Sequence, residues 1–168
     1  MSVSMYALSV PVFSRMLGNL AAILTKAEAD ATARGIDPSV FLTARLAPDM
    51  LTLTRQVQIA SDGAKGAVAR LAGVEVPSYL DDEVSFADLQ ARIAKTLAFI
   101  GGVDKAAIDA GQDREIVLKM RTGEVKFVGL AFLLHFAQPN FYFHVTTAYA
   151  ILRHNGVSLG KMDYLGGV

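Results

Sequence analysis

Apolar residues recur at intervals of three and four along four separate stretches of this chain, and that repeat limits its fold more than any other feature. In residues 4–33 the series is Leu8, Val12, Met16, Leu20, Ile23, Leu24 and Ala27, which keeps one side of a helix apolar and ends at Gly35. Pro11 falls inside the series and removes a backbone donor, so a bend is expected there. Residues 48–72 carry Met50, Leu53, Val57, Ala60, Ala64, Val68 and Leu71, with Gly73 as the stop. Gly63 and Gly66 weaken this second helix by about 1 kcal/mol each relative to alanine and are expected to admit a neighbouring backbone. Ser85, with Asp88 three residues on, starts a third helix that carries Phe86, Leu89, Ile93, Leu97 and Ile100 and stops at Gly101-Gly102. The fourth occupies residues 130–154 and ends at Asn155-Gly156. Pro139 should kink it near Phe136, because the ring clashes with the carbonyl four residues back.

Two shorter signals lie between these helices. In "GIDPSVFLTARLAP", Asp37 before Pro38 predicts a short helix that Pro48 closes. In "REIVLKMRTGEVKFVG" the period changes to two, with Ile116, Leu118, Met120, Val125 and Phe127 on one side and "RTGE" between them, which predicts a β-hairpin. A hairpin of that size is marginal alone and must lie against the helices. No repeat, low-complexity tract or linker divides residues 1–168, so a single mostly α domain is expected.

Composition narrows the function classes. Sixteen Lys and Arg balance sixteen Asp and Glu, and no basic run is long enough to neutralise a row of phosphates, so nucleic acid is not an expected partner. The lack of cysteine removes disulfides, thiolate nucleophiles and cysteine metal sites, and fits a reducing cytoplasm. Hydrophobic residues make up 52%, which raises the question of a membrane span. Lys26, His135 and Gln138 interrupt the stretches "AILTKAEA" and "FVGLAFLLHFA" well before the roughly 20 residues a span needs. The first residues lack a basic segment before their apolar part, so neither a membrane segment nor a signal peptide is expected. The apolar excess then points to close helix packing or to a surface buried between subunits. A line of Tyr142, Thr146, Tyr149 and Arg153 on the last helix supplies residue types favoured at interfaces.

The runs "LAPDMLTLTRQVQIASDGAKGAVARLAG" (46–73) and "QPNFYFHVTTAYAILRHNGVSLGKMDYLG" (138–166), with the hairpin between them, resemble the DUF1993 family. That family is similar in turn to the DinB/YfiT-like superfamily. The resemblance implies an up-down-down-up four-helix bundle with a small β-hairpin before the last helix, in proteins that are often homodimers. Many superfamily members bind a divalent metal, zinc or nickel, through one histidine on the second helix and a His-x-x-x-His pair on the fourth. Some transfer or conjugate small thiols.

Carried over by position, that motif falls on Gln58, Asn140 and His144. Two imidazoles are thus replaced by neutral amides, which are poor ligands for zinc or nickel, and a degenerate metal site is implied. Asn140, His144 and Thr147 share one side of the last helix at i, i+4 and i+7, and Gln58 stands near Thr54, Ser61 and Lys65 on the second. Two readings stay open. In one, these groups bind a small polar ligand or satisfy one another in a non-catalytic bundle. In the other, His144 is the acid/base of an enzyme acting on a small thiol or polar metabolite, with Asp62 or His135 completing a metal site. The loop acids Asp81, Asp82 and Glu83 read as solvated, and the glycines near lysine in "GAKGA" and "GVSLGK" lack the spacing of a phosphate loop.

Overall fold

The protein is described here by a computed structural model covering residues 4–120 and 123–167. Its elements are α1 (Met5–Ala33), α2 (Pro38–Thr43), α3 (Leu53–Ala72), α4 (Phe86–Gly102), α5 (Lys105–Asp109), β1 (Glu115–Met120), β2 (Gly123–Val128), α6 (Gly129–Phe132), a π-helical turn (Leu133–Ala137), α7 (Gln138–His154) and α8 (Lys161–Leu165). The long helices α1, α3, α4 and α7 carry the four apolar repeats.

Side-chain pairings fix their directions. Gln56 meets His144 while Gly63 faces Asn140, so α3 and α7 are antiparallel. Gln58 reaches Glu83 and Asp62 reaches Arg92, so α3 and α4 run the same way. Gln90 donates to the Ala21 carbonyl and Asp109 accepts from Tyr6, which sets α1 against α4. Gln138 pairs with Leu8 and Arg34 with Asn155, which makes α1 and α7 parallel. The bundle is therefore up-down-down-up. Two parallel neighbours need a long return, and residues 73–85 supply it as a strap along the α3–α4 groove.

Most of the predicted inward residues are in the core, with Leu20, Leu24, Val57, Ala64, Leu89 and Ile100 fully buried, while Leu8, Val12, Met50 and Leu97 are half-buried; on α7, Val145 and Ile151 complete the core. Phe13 and Phe141 meet edge to face at its centre, 4.9 Å between ring centroids. Helix starts follow the capping chemistry. Asp37 caps α2 and Thr52 caps α3, while Ser85 accepts from the Asp88 amide as its own side chain donates to the Asp88 carboxylate.

Several expectations need correction. The second helix begins at Leu53 rather than at Pro48, because Thr52 is the cap and residues 48–52 form a turn in which Arg45 holds the Met50 carbonyl. The short helix ends at Thr43, five residues before Pro48, where Ala44 turns extended. Neither Gly63 nor Gly66 admits a backbone: Gly63 faces the Asn140 side chain, and the Arg70 guanidinium lies over Gly66. α1 is one helix with Pro11 inside it, so its regular part does not begin at the proline. It also has the length and hydropathy of a membrane span, with a mean of 1.5 over 18 residues that the interrupted stretches hid. Its apolar side is spent in the bundle, where Leu17, Leu20, Ile23 and Leu24 are fully buried.

Where the Pro139 kink was expected, the helix carries the π-helical turn. The Gln138 amide bonds back to the Leu133 carbonyl, and this extra residue in the turn accommodates the proline that follows. The hairpin pairs Ile116 with Phe127 and Leu118 with Val125. Ile116 and Leu118 are buried and Phe127 is half-buried, but Val125 is exposed. Arg121 and Thr122 of the expected turn lie outside the described residues.

Candidate functional site

α3 has two polar edges, one toward α7 and one toward the strap and α4. On the first, Gln56 is almost fully buried and its orientation follows from its partners. The Leu51 carbonyl can only accept, so the Gln56 amide nitrogen faces it at 3.1 Å and Oε1 faces His144 Nδ1 at 2.7 Å. Nδ1 must therefore carry the proton. Burial holds the imidazole pKa below its ordinary 6.5, so at neutral pH His144 is neutral with its Nε2 lone pair unprotonated. His144 is 8% exposed, and no described residue bonds Nε2.

The second edge holds a charged cluster. Arg92, 3% exposed, donates to the Leu80 carbonyl at 2.8 Å, to Glu83 at 2.7 Å and to Asp62 at 2.8 Å, and lies 3.1 Å from Asp81. Burial alone would lower its pKa, but the Glu83 hydrogen bond and the charges of Asp62 and Glu83 outweigh that and raise it. Gln58 joins this cluster, accepting from Arg55 and donating to Glu83, both at 2.6 Å. Lys65 pairs with Asp62 and sits 3.8 Å from the Tyr79 ring centroid, with Lys95 at 4.2 Å from the same ring. Tyr79 and Leu80 belong to the strap, so the cluster fastens it. Ser61 Oγ and Arg92 Nε are buried without a partner among the described residues.

These contacts redistribute the predicted site. Gln58 serves the strap, and the residue against His144 is Gln56, which the sequence reading passed over. Thr147 is buried but bonds its own helix at the Phe143 carbonyl, and Thr54 is spent on the Leu42 carbonyl. Asn140 is half-buried, one turn from His144, with no hydrogen bond to a described residue. His135 and His154 are exposed. Asp81 and Glu83 are counter-ions of Arg92, not merely solvated loop acids; Arg55 holds the Asp81 carboxyl below the usual range.

Zinc or nickel does not suit this donor set. The inner side offers one imidazole beside two amides, and among the described residues no three His, Cys, Asp or Glu side chains are placed to hold a metal ion. Asp62 is committed to Lys65 and Arg92.

Two hollows flank the cluster. The wider, about 670 Å³, lies between the strap and α4; Arg92 and Glu83 there are spent on each other and Asp88 on the α4 cap, while Ser78 and Asp82 are exposed. The smaller, about 250 Å³, is an open cleft between α3, α7, the π-helical turn and β1, and is lined by Asp62, Gly63, Arg70, Phe136 and Asn140 among others. The polar side chains of Asn140 and Arg70 there have no partner among the described residues.

With this geometry in hand, comparison with known proteins identifies the family: residues 5–165 match the one described as Domain of unknown function (DUF1993). The chain belongs to the DUF1993 family. A crystal structure of a DinB family member protein from Shewanella denitrificans is 46% identical to the DUF1993 chain, with a TM-score of 0.89, covering 97% of this chain and 92% of that one. No curated protein matches the DUF1993 chain. The likeness accounts for the bundle order and for the placement of the hairpin before the last helix.

Proposed function

We propose that this DinB-like protein binds a small ligand between α3 and α7 without a resident metal, as a homodimer. The smaller hollow carries the reading. It has an apolar wall and, in Asn140 and Arg70, polar groups whose hydrogen-bonding capacity is unspent at half-buried positions, whereas in the wider hollow Arg92, Glu83 and Asp88 are already paired and Ser78 and Asp82 are exposed. At about 250 Å³ it suits a molecule smaller than a typical drug. Elemental analysis of the purified protein, run beside thermal-shift screening against small polar metabolites, tests the proposal. The expected result is substoichiometric metal, with a ligand-induced rise in Tm that Asn140→Leu removes. Near-stoichiometric zinc or nickel that disappears in His144→Ala overturns it.

A second reading draws on one observation, the His144 tautomer. With Nδ1–H held by Gln56, Nε2 is a base ready to take a proton from a small thiol or similar metabolite. This His144-dependent enzyme predicts turnover that His144→Gln abolishes while ligand affinity is retained. The binding-protein reading predicts no turnover in either protein.

A further inference from the structure

We propose that Arg70 makes the hollow between α3, α7 and β1 a receptor for a small monocarboxylate with a flat apolar body. This inference rests on the ligand-binding reading above and adds the chemical class. Arg70 is half-buried, and its guanidinium makes no hydrogen bond or ion pair with a described residue. It folds back along its own helix over Gly66, where any Cβ would collide with it, so the glycine gives the charged group its seat. Asp62, the one acid in the lining, already faces Lys65 and Arg92. Burial, with no neighbouring acid to offset it, lowers the Arg70 pKa, as expected of a cation waiting for an anion. Nearby, the Asn140 amide offers a donor and Lys119 a second positive charge at the rim.

The hollow also has an aromatic lining in Phe132 and Phe136. Phe132 and Phe136 lie nearly parallel, 6.1 Å apart, and Phe127 braces both at 6.0 and 5.5 Å. A planar ring fits against such a wall, while the guanidinium fork matches a carboxylate in two parallel hydrogen bonds. Asp62 at the lining disfavours a dianion, so a carboxylate is preferred to a phosphate.

The test is an amide NMR titration of the full chain with benzoate, its neutral analogue benzyl alcohol, and inorganic phosphate. Benzoate should bind saturably, shifting the amides of Ala67, Arg70 and Asn140, and about tenfold or more tighter than benzyl alcohol. Arg70→Gln should bring benzoate down to the level of benzyl alcohol. Gly63→Leu, which fills the hollow from α3 without touching a charge, should abolish both. Equal binding of benzoate and benzyl alcohol by the wild type overturns the carboxylate assignment and leaves the small-ligand reading standing. Absence of binding by either overturns both. Phosphate binding tighter than benzoate, or benzoate binding that survives Gly63→Leu, overturns the assignment of ligand class or of place. Should Arg70→Gln fail to fold, the wild-type comparison and Gly63→Leu decide alone.

Discussion

His144 joins the buried side of α7 to α3 through one hydrogen bond, and its worth is measurable. His144→Ala leaves Gln56 Oε1 without its donor, so the variant should lose about 1–3 kcal/mol in urea melts. The pH dependence has a definite sign. The unfolded chain titrates this group near 6.5 and the folded chain lower, so the unfolded state binds more protons as pH falls below 6.5. Stability is then complete above that value and declines as pH drops toward the folded pKa. Comparing wild type with His144→Ala at pH 7.5 and 5.5 should show that this slope belongs to His144; an unchanged slope refutes the assignment. Arg92→Met should cost more, about 3–5 kcal/mol, since it strands the buried side chain of Glu83 without its counter-ion. That His144 points inward was legible from its spacing with Asn140. Its partner was not, because Gln56 and Gln58 differ by about 200° around a helix, and choosing one over the other moves the contact from α7 to the strap.

Among the elements, the base of the hairpin is set by close backbone contact on either side of it. A Cβ on Gly129 would run into the Gly111 carbonyl, and one on Gly111 into the Leu71 carbonyl, so the two glycines seat the β-segment against the end of α3. Gly129→Ala should therefore destabilise the protein by about 1–3 kcal/mol, read as a lower denaturant midpoint. It should also loosen Leu118 and Lys119, the β1 contribution to the smaller hollow. Helix type and extent were largely legible, since Ser85, Asp37 and Gly73 are local signals. Thr52 was missed as the α3 cap because Pro48 also reads as a helix start. The strap was illegible for a different reason: it has no period, and its contacts with Arg92, Lys65 and Gln58 join residues that only the folded bundle brings together.

For the molecule as a whole, self-association is the open expectation. Part of the line first expected at an interface is engaged within the chain: Thr146 bonds the Tyr164 hydroxyl at 3.0 Å, and Tyr149 meets the Tyr164 ring edge-on. Phe143 remains 55% exposed on α7 and Arg153 is exposed further along. Light scattering at tens of micromolar should give twice the 18.0 kDa chain mass, and Phe143→Asp should shift it toward the monomer. A monomer mass for the wild type refutes the dimer.

The strap between the two parallel helices has a consequence for how the chain can be divided. Val74 and Glu75 are exposed, whereas Tyr79, Leu80, Asp81 and Glu83 are tied to α3 and α4. Cutting after Glu75 separates α1–α3 from α4–α8. Each long helix in one fragment then has its main packing partner in the other: α3 against α4 and α7, α1 against α4. Neither fragment encloses a core by itself, so each alone should lack the helical circular dichroism of the whole chain. Mixed, they should regain it, with the strap residues of the second fragment clasping the first. Cleavage at that point converts a folding reaction into a binding reaction, in which the stability of the bundle is read directly as the affinity between two peptides.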